Sequence, residues 1–162
     1  MSANIVKNVH FKKSAARFYA VQALFQMEIS KSSVREIVRE FELFRIGAKI
    51  GENTYNTADL TMFRNILDKA VKEQSKIDKL TNNCLKEAWP LKRIDPTLRA
   101  LFRAATAEIL IDKTPAKVVI NEFLEIAKAF SPNGKETKLV NGVLDNILST
   151  VLKSQNINLK TS

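Results

Sequence analysis

The stretch KLVNGVLDNIL (residues 138–148) decides the fold, because it can form one helix or two segments joined by a turn. Asn141-Gly142, in its middle, is a frequent turn dipeptide. The surrounding apolar residues nevertheless recur at helical spacing: Leu139, Val140, Val143, Leu144, Ile147 and Leu148. We therefore predict one helix that runs to about Lys153 and keeps a glycine in its interior, at a cost of roughly 1 kcal/mol relative to alanine.

The helical wheel places this dipeptide opposite the apolar face. The apolar side chains centre on one direction: Val140, Val143, Leu144, Ile147 and Val151. The far side collects Lys138, Asn141, Gly142 and Asp145. Either a neighbouring helix approaches that polar face, or a nucleic acid or partner protein does. Lysine supplies charge, asparagine supplies paired donor and acceptor groups, and glycine leaves the backbone accessible.

The same periodicity over the rest of the chain predicts about six helices and no strand. The remaining helices are predicted over 13–30, 33–50 and 57–85, from Asp95-Pro96 through Ile109, and from Thr114-Pro115 to about Phe130. Proline suits a first helical turn, which supports the last two starts. The polar loop over 51–57 and Pro90 divide the chain into two candidate helical subdomains that share one core.

The first helix is apolar on two sides, which is typical of a helix buried between neighbours. One stripe is large: Phe18, Phe25 and Ile29. The other is mostly small and permits a close helix crossing: Ala16, Ala20, Ala23 and Met27. The second helix has a single apolar face: Val34, Ile37, Val38, Phe41 and Phe44.

The chain of 162 residues carries a formal net charge of +9, which favours a polyanionic partner. Its first acidic residue is Glu28, and the unopposed cations before it are Lys7, Lys12, Lys13 and Arg17. These residues either contact nucleic acid or form a solvated basic tail. We predict a flexible basic tail over 1–11, a single helical domain over 12–153, and a flexible tail over 154–162.

Residues for catalysis or metal binding are sparse. His10 is the single histidine and Cys84 the single cysteine, so neither a nucleophilic triad nor a metal cluster can be assembled. Cys84 fits an apolar helical series, and we predict Glu122 and Glu125 on a solvated helix face. We predict no enzyme activity, cofactor or metal. The lone cysteine and the lack of a long apolar run favour a cytoplasmic protein without a membrane span.

Four segments, in chain order, resemble one protein family: ARFYAVQALFQMEIS (16–30), KIDKLTNNCLKEAWPLKRIDPTLRALFRAATAEIL (76–110), VVINEFLEIAKAF (118–130) and KLVNGVLDNIL (138–148). They are similar to the NusB transcription antitermination factors. The resemblance implies an all-helical domain of two three-helix subdomains. It also implies an RNA-binding adaptor that binds boxA-type single-stranded RNA of ribosomal RNA operons together with NusE, a small-subunit ribosomal protein. That complex joins elongating RNA polymerase.

The resemblance also implies which residues contact RNA: Lys12, Lys13, Arg17, Gln22, Phe25, Lys138, Leu139 and Asn141. Three departures from the family pattern stand out. Ser14 and Ala15 stand where the family tends to have arginine, Leu139 where it has phenylalanine, and Ala107 where it has tyrosine. The first two departures motivate an alternative, a helical protein–protein interaction module with weak or lost RNA binding. A third hypothesis is an accessory domain like those of rRNA cytosine methyltransferases, although a chain this short leaves no room for their catalytic domain.

Overall fold

The computed structural model describes residues 2–47, 49–50, 53–54, 57–86, 89–131 and 134–161. Within these ranges the chain folds into seven helices and one two-stranded antiparallel hairpin, so the all-α prediction is confirmed. The helices are α1 (Ser2–Ser30), α2 (Val34–Phe44), α3 (Leu60–Lys72), α4 (Gln74–Cys84), α5 (Pro96–Ile111), α6 (Ala116–Phe130) and α7 (Lys135–Thr161). The strands are β1 (Lys49–Ile50) and β2 (Asn53–Thr54).

The second predicted helix ends earlier than its apolar pattern indicates. Gly47 adopts a left-handed φ of +70°, and the amides of Arg45 and Ile46 both donate to the carbonyl of Phe41. A left-handed glycine is a common helix stop, and the β1–β2 hairpin follows it. The sequence predicted no convincing strand, and each strand of this hairpin has only two residues, so the all-α class is unchanged. Residues 51, 52, 55 and 56 of the predicted loop lie outside the described residues.

The single helix predicted over 57–85 is two helices, which brings the described total to seven. The break lies at Glu73, where ψ rises to 18°. Hydrogen bonding continues across it, because Glu73 donates to the carbonyl of Lys69 and accepts from the amide of Ile77. The spacing of apolar residues shows which face of a helix is buried, and it does not change at a bend of this kind. The break at Glu73 could therefore not be predicted from that spacing.

Both terminal helices extend beyond the predicted limits. α1 begins at Ser2 instead of about residue 13, and α7 ends at Thr161 instead of about Lys153. The described side chains of these extensions are exposed over 7–11 and 152–156. Hydrophobic periodicity detects helices that bury a face, so it misses turns that bury none.

The centre of the fold is the crossing of α1 and α5. Both helices meet through small side chains, which lets their backbones approach closely. The fully buried alanines are Ala16, Ala20 and Ala23 of α1 and Ala104, Ala105 and Ala107 of α5. The predicted small stripe of α1 is thus confirmed. Ile29 and Phe44, both predicted inward, are instead 63% and 66% exposed, and each lies in the last turn of its helix.

An ionic cluster joins the C-terminal part of α1 to α4 and α5. The Arg99 Nε donates to Glu28 Oε2 at 2.9 Å, and Arg103 reaches Glu28 at 3.0 Å and Asp78 at 2.9 Å. The hydrogen bond from Arg99 outweighs desolvation and holds the pKa of Glu28 below its ordinary value. Paired carboxylate and guanidinium groups of this kind set the angle between helices as well as adding energy.

Candidate nucleic-acid interface

The predicted RNA-contacting residues lie on two helices that do not pack against each other in the described structure. Lys12, Lys13, Arg17, Gln22 and Phe25 belong to α1, whereas α7 carries the other three: Lys138, Leu139 and Asn141. α6 contacts both α1 and α7 and lies between them. α5 also contacts both helices, so a ligand that touches both groups must span the surface that α5 and α6 form between α1 and α7.

Arg17 occupies the interior of this arrangement and not its surface. Its side chain is 2% exposed, and its Nε donates to both carboxylate oxygens of Glu108 at 2.9 Å. Its Nη1 lies 3.6 Å from Glu122 Oε2. The structure thus places Arg17 in the packing of α1 against α5 and α6, and its contact with RNA stays a prediction.

Glu122 is also more enclosed than predicted. Its side chain is only 17% exposed, and it accepts a hydrogen bond from Ser14 Oγ at 2.9 Å. His10 Nε2 lies 3.5 Å from its other oxygen. The prediction that Glu122 lies on a solvated face was wrong, because α1 covers that part of α6. Glu125, one turn on, is 70% exposed, as predicted. Its carboxylate also pairs with Lys128.

The remaining α1 residues fall on different sides of the helix. Lys13 is exposed and lines a hollow shared with Lys113, while Lys12 is half-buried and its carbonyl accepts the amide of Asp59 at 3.1 Å. Gln22 lines a separate groove between α1 and α6. Phe25 is half-buried against the core. α1 therefore presents Lys13 and the Gln22 groove on different sides, and that groove runs along the helix from His10 to Gln22.

An aromatic pair that the sequence pattern did not indicate borders the Gln22 groove. The rings of Phe18 and Phe130 are nearly parallel, with centroids 6.0 Å apart and an interplanar angle of 6°. Phe130 ends α6 and remains 43% exposed. Exposed ring faces can stack with unpaired bases, so this pair extends the candidate interface from α1 toward the start of α7.

The polar face of α7 agrees with the wheel drawn from sequence. Lys138, Asn141 and Gly142 are exposed, whereas Val140 and Val143 are buried. A Cβ built on Gly142 would meet no described atom within 4 Å outside its own helix turn. Within the described residues, close approach of a neighbouring helix therefore does not explain this glycine. Of the two explanations considered from the sequence, the one that remains is approach of a nucleic acid or partner protein.

Replacing Gly142 with alanine is expected to raise the free energy of unfolding by about 0.5–1 kcal/mol, because the site is helical, open and unstrained. Gly134 is the matched control. It is equally open, but its φ is +73°, so Gly134→Ala is expected to lower the free energy of unfolding by about 1 kcal/mol. Urea denaturation of both variants tests this, and equal shifts of one sign would contradict it.

A further groove lies beside α7, and Leu139 is one of the residues that line it. Leu139 is half-buried and lines this groove with Leu85, Lys86, Trp89 and Lys135. Trp89, the single tryptophan of the chain, is 61% exposed there. The sequence indicated only that Trp89-Pro90 ends a helical region. Exposure of a tryptophan depends on how the flanking residues pack, which periodicity does not report.

The single cysteine and the single histidine both lie in surroundings that the structure describes. Cys84 is half-buried against the core, and burial raises the pKa of its thiol, which opposes formation of a reactive thiolate. His10 is 63% exposed on α1 and faces the carboxylate already engaged by Arg17. Over the described ranges, no helix has the length and apolar content needed to cross a bilayer.

Comparison with known proteins identifies extended similarity. The family model of the NusB family matches residues 14–149. The transcription antitermination protein NusB of Agrobacterium fabrum (strain C58 / ATCC 33970) is 46% identical over 141 residues, which cover 86% of this chain and 85% of that protein. The corresponding protein of Sinorhizobium medicae (strain WSM419) is 45% identical over 145 residues, covering 89% and 90% of the two chains.

Solved structures share the fold. NusB of T. maritima superposes with a TM-score of 0.69 at 30% identity, covering 84% of this chain and 89% of that one. A chain from a complex of antitermination factors NusB and NusE with dsRNA superposes with a TM-score of 0.68 at 22% identity, covering 85% and 96%. The helix arrangement described above is therefore that of these proteins.

Proposed function

The chain belongs to the NusB family, and from that premise we propose that it is an RNA-binding adaptor in transcription antitermination of ribosomal RNA operons. In this proposal it binds boxA-type single-stranded RNA together with the ribosomal protein NusE. The resulting complex joins elongating RNA polymerase. The family match over residues 14–149 is the observation that carries the proposal, because it spans both halves of the fold.

The exposed surface supports RNA as the ligand. Lys13 on α1 and Lys138 on α7 are exposed and can contact phosphates, and Asn141 offers an amide beside the bare backbone of Gly142. Gln22 lines the groove between α1 and α6 together with Phe18, whose ring is stacked with that of Phe130. A chain in a solved complex with NusE and RNA shares this fold, which makes the same two partners reasonable here.

The proposal has three further parts. We propose that the protein acts by binding alone, without catalysis, and works in the cytoplasm where transcription takes place. We also propose that residues 12–153 form the functional domain and that the ends, 1–11 and 154–162, are flexible. Their described side chains over 7–11 and 154–156 are exposed, and helical turns that bury nothing tend to fray.

A second candidate function is a protein-interaction module with weak RNA binding. The position of Arg17 favours it, because this guanidinium is committed to Glu108 and leaves Lys12 and Lys13 as the cations of the N-terminal motif. In that case NusE alone would bind the protein, and boxA RNA would not tighten the complex.

Fluorescence anisotropy of a labelled boxA-type RNA distinguishes the two functions. Titrations would use the full chain with and without NusE, at several salt concentrations, beside a scrambled RNA of equal composition. The adaptor function predicts sequence-selective binding that NusE strengthens. Three or four phosphate contacts imply a log–log salt slope of about −2 to −3. A slope near zero, or equal binding of the scrambled RNA in the presence of NusE, would contradict it.

A further inference from the structure

The groove beside the start of α7 combines apolar and basic groups in a way that the function proposed above does not yet use. It has a cavity volume of about 420 Å³ and lies between the end of α4 and the first turns of α7. Leu85 and Leu139 provide apolar surface, and Trp89 stands at its edge, 61% exposed. A tryptophan this exposed offers ring surface to a ligand.

The segment that carries Trp89 is held on both sides. Leu85 and Leu91 are buried, and the Trp89 amide donates to the carbonyl of Lys86 at 2.8 Å. The Leu91 amide donates to Asn82 Oδ1 at 3.0 Å, and the Leu91 carbonyl accepts from Arg99 Nη1 at 2.8 Å. The ring is thus presented from an anchored backbone, so little conformational entropy remains to be lost when a ligand binds.

The charges around the groove favour a polyanion. Lys86 and Lys135 are exposed on its two sides, and Lys138 lies one helical turn beyond Lys135. Glu136 is the acidic residue of the groove, and its carboxylate accepts a hydrogen bond from Ser131 Oγ on the connection between α6 and α7. Among the described residues, these three lysines stand against Glu136 and the nearby Asp95, whose charge acts on Glu136. The remaining positive excess suits a phosphate backbone.

We propose that Trp89 stacks on an unpaired base of single-stranded RNA, with Leu139 beneath the base and Lys86 and Lys135 contacting the flanking phosphates. This inference rests on the proposed RNA-binding function and names a binding residue that α1 and α7 do not supply. An aromatic ring with adjacent lysines is the usual composition of a single-strand binding surface, because every base has a face that can stack.

The single tryptophan makes the test direct, since all indole fluorescence comes from Trp89. Titration of the unmodified full chain with boxA-type RNA is expected to quench this fluorescence, saturating at the RNA concentration at which anisotropy saturates. Trp89→Ala is expected to weaken RNA binding by about five- to 150-fold. Trp89→Phe is expected to retain part of the affinity, because a smaller ring can still stack.

Phe44→Ala is the matched control, since Phe44 is an aromatic of similar exposure on α2, a helix that packs only against α1 and α3 among the described elements. Its RNA affinity should equal that of the unmodified chain. RNA binding that neither quenches Trp89 nor weakens in Trp89→Ala would overturn this inference and leave the proposed function standing. Quenching by NusE but not by RNA would overturn it too, assigning the groove to a protein. Absence of any RNA binding, with or without NusE, would overturn both.

Discussion

Replacing Arg17 with methionine is expected to lower the free energy of unfolding by about 3–5 kcal/mol. Arg17 and Glu108 are 2% and 3% exposed, and the guanidinium donates to both carboxylate oxygens. Removing the cation leaves the Glu108 carboxylate buried without its partner, and water cannot replace the lost hydrogen bonds. Chemical denaturation followed by circular dichroism measures the loss.

Two further variants separate charge burial from a general loss of side-chain volume. Lys13→Met removes the same charge from an exposed site one turn earlier on α1 and is expected to change the stability by less than about 0.5 kcal/mol. The double variant Arg17→Met, Glu108→Met removes both charges and is expected to recover much of the loss. A cost below about 1 kcal/mol for Arg17→Met alone would indicate that the pair is open to solvent.

Removing two exposed lysines is expected to weaken RNA binding and to reduce its salt dependence while leaving the fold intact. On the function proposed above, Lys13→Met with Lys138→Met removes two phosphate contacts. The log–log salt slope should become shallower by about 1.4, and affinity should fall about 60-fold at 50 mM salt and about tenfold at 200 mM. Anisotropy at four or more salt concentrations gives both quantities.

The matched control removes two lysines elsewhere. Lys72 and Lys76 are exposed at the junction of α3 and α4, so Lys72→Met with Lys76→Met lowers the net charge by the same amount. Its salt slope should remain that of the unmodified chain. If both double variants change the slope equally, the protein attracts RNA through its overall charge of +9 and not through a defined contact.

The elements that bury a face could be predicted from sequence alone. The helix starting at Asp95-Pro96 can be predicted because the capping residue, the proline and the apolar stripe all indicate the same start. The structure confirms this start, since the Thr97 amide donates to Asp95 Oδ1 at 2.7 Å. The polar face of α7 was predicted in the same way. Local pattern and global packing coincide at these positions, which is the condition under which single-sequence reasoning works.

The candidate interface could be predicted only in part, because its key features depend on distant residues. In the sequence, Arg17 is one more cation of a basic N-terminus. Its burial depends on the ion pair with Glu108, which lies 91 positions later in the chain. The sequence predicts only that Trp89-Pro90 ends a helical region, and apolar periodicity does not apply to the irregular segment that carries this exposed ring.

The large sequence separation between α1 and α5, which pack together, also affects folding during translation. α1 leaves the ribosome first, but its buried alanines and Arg17 complete their packing only against α5. At roughly 5–20 residues per second, synthesis of the intervening 91 residues takes roughly 5–18 s. During that interval α1 can pack against α2 and α3, which are made earlier, but its small-residue stripe and Arg17 still lack α5. Completion of the core therefore waits for a segment made in the second half of translation.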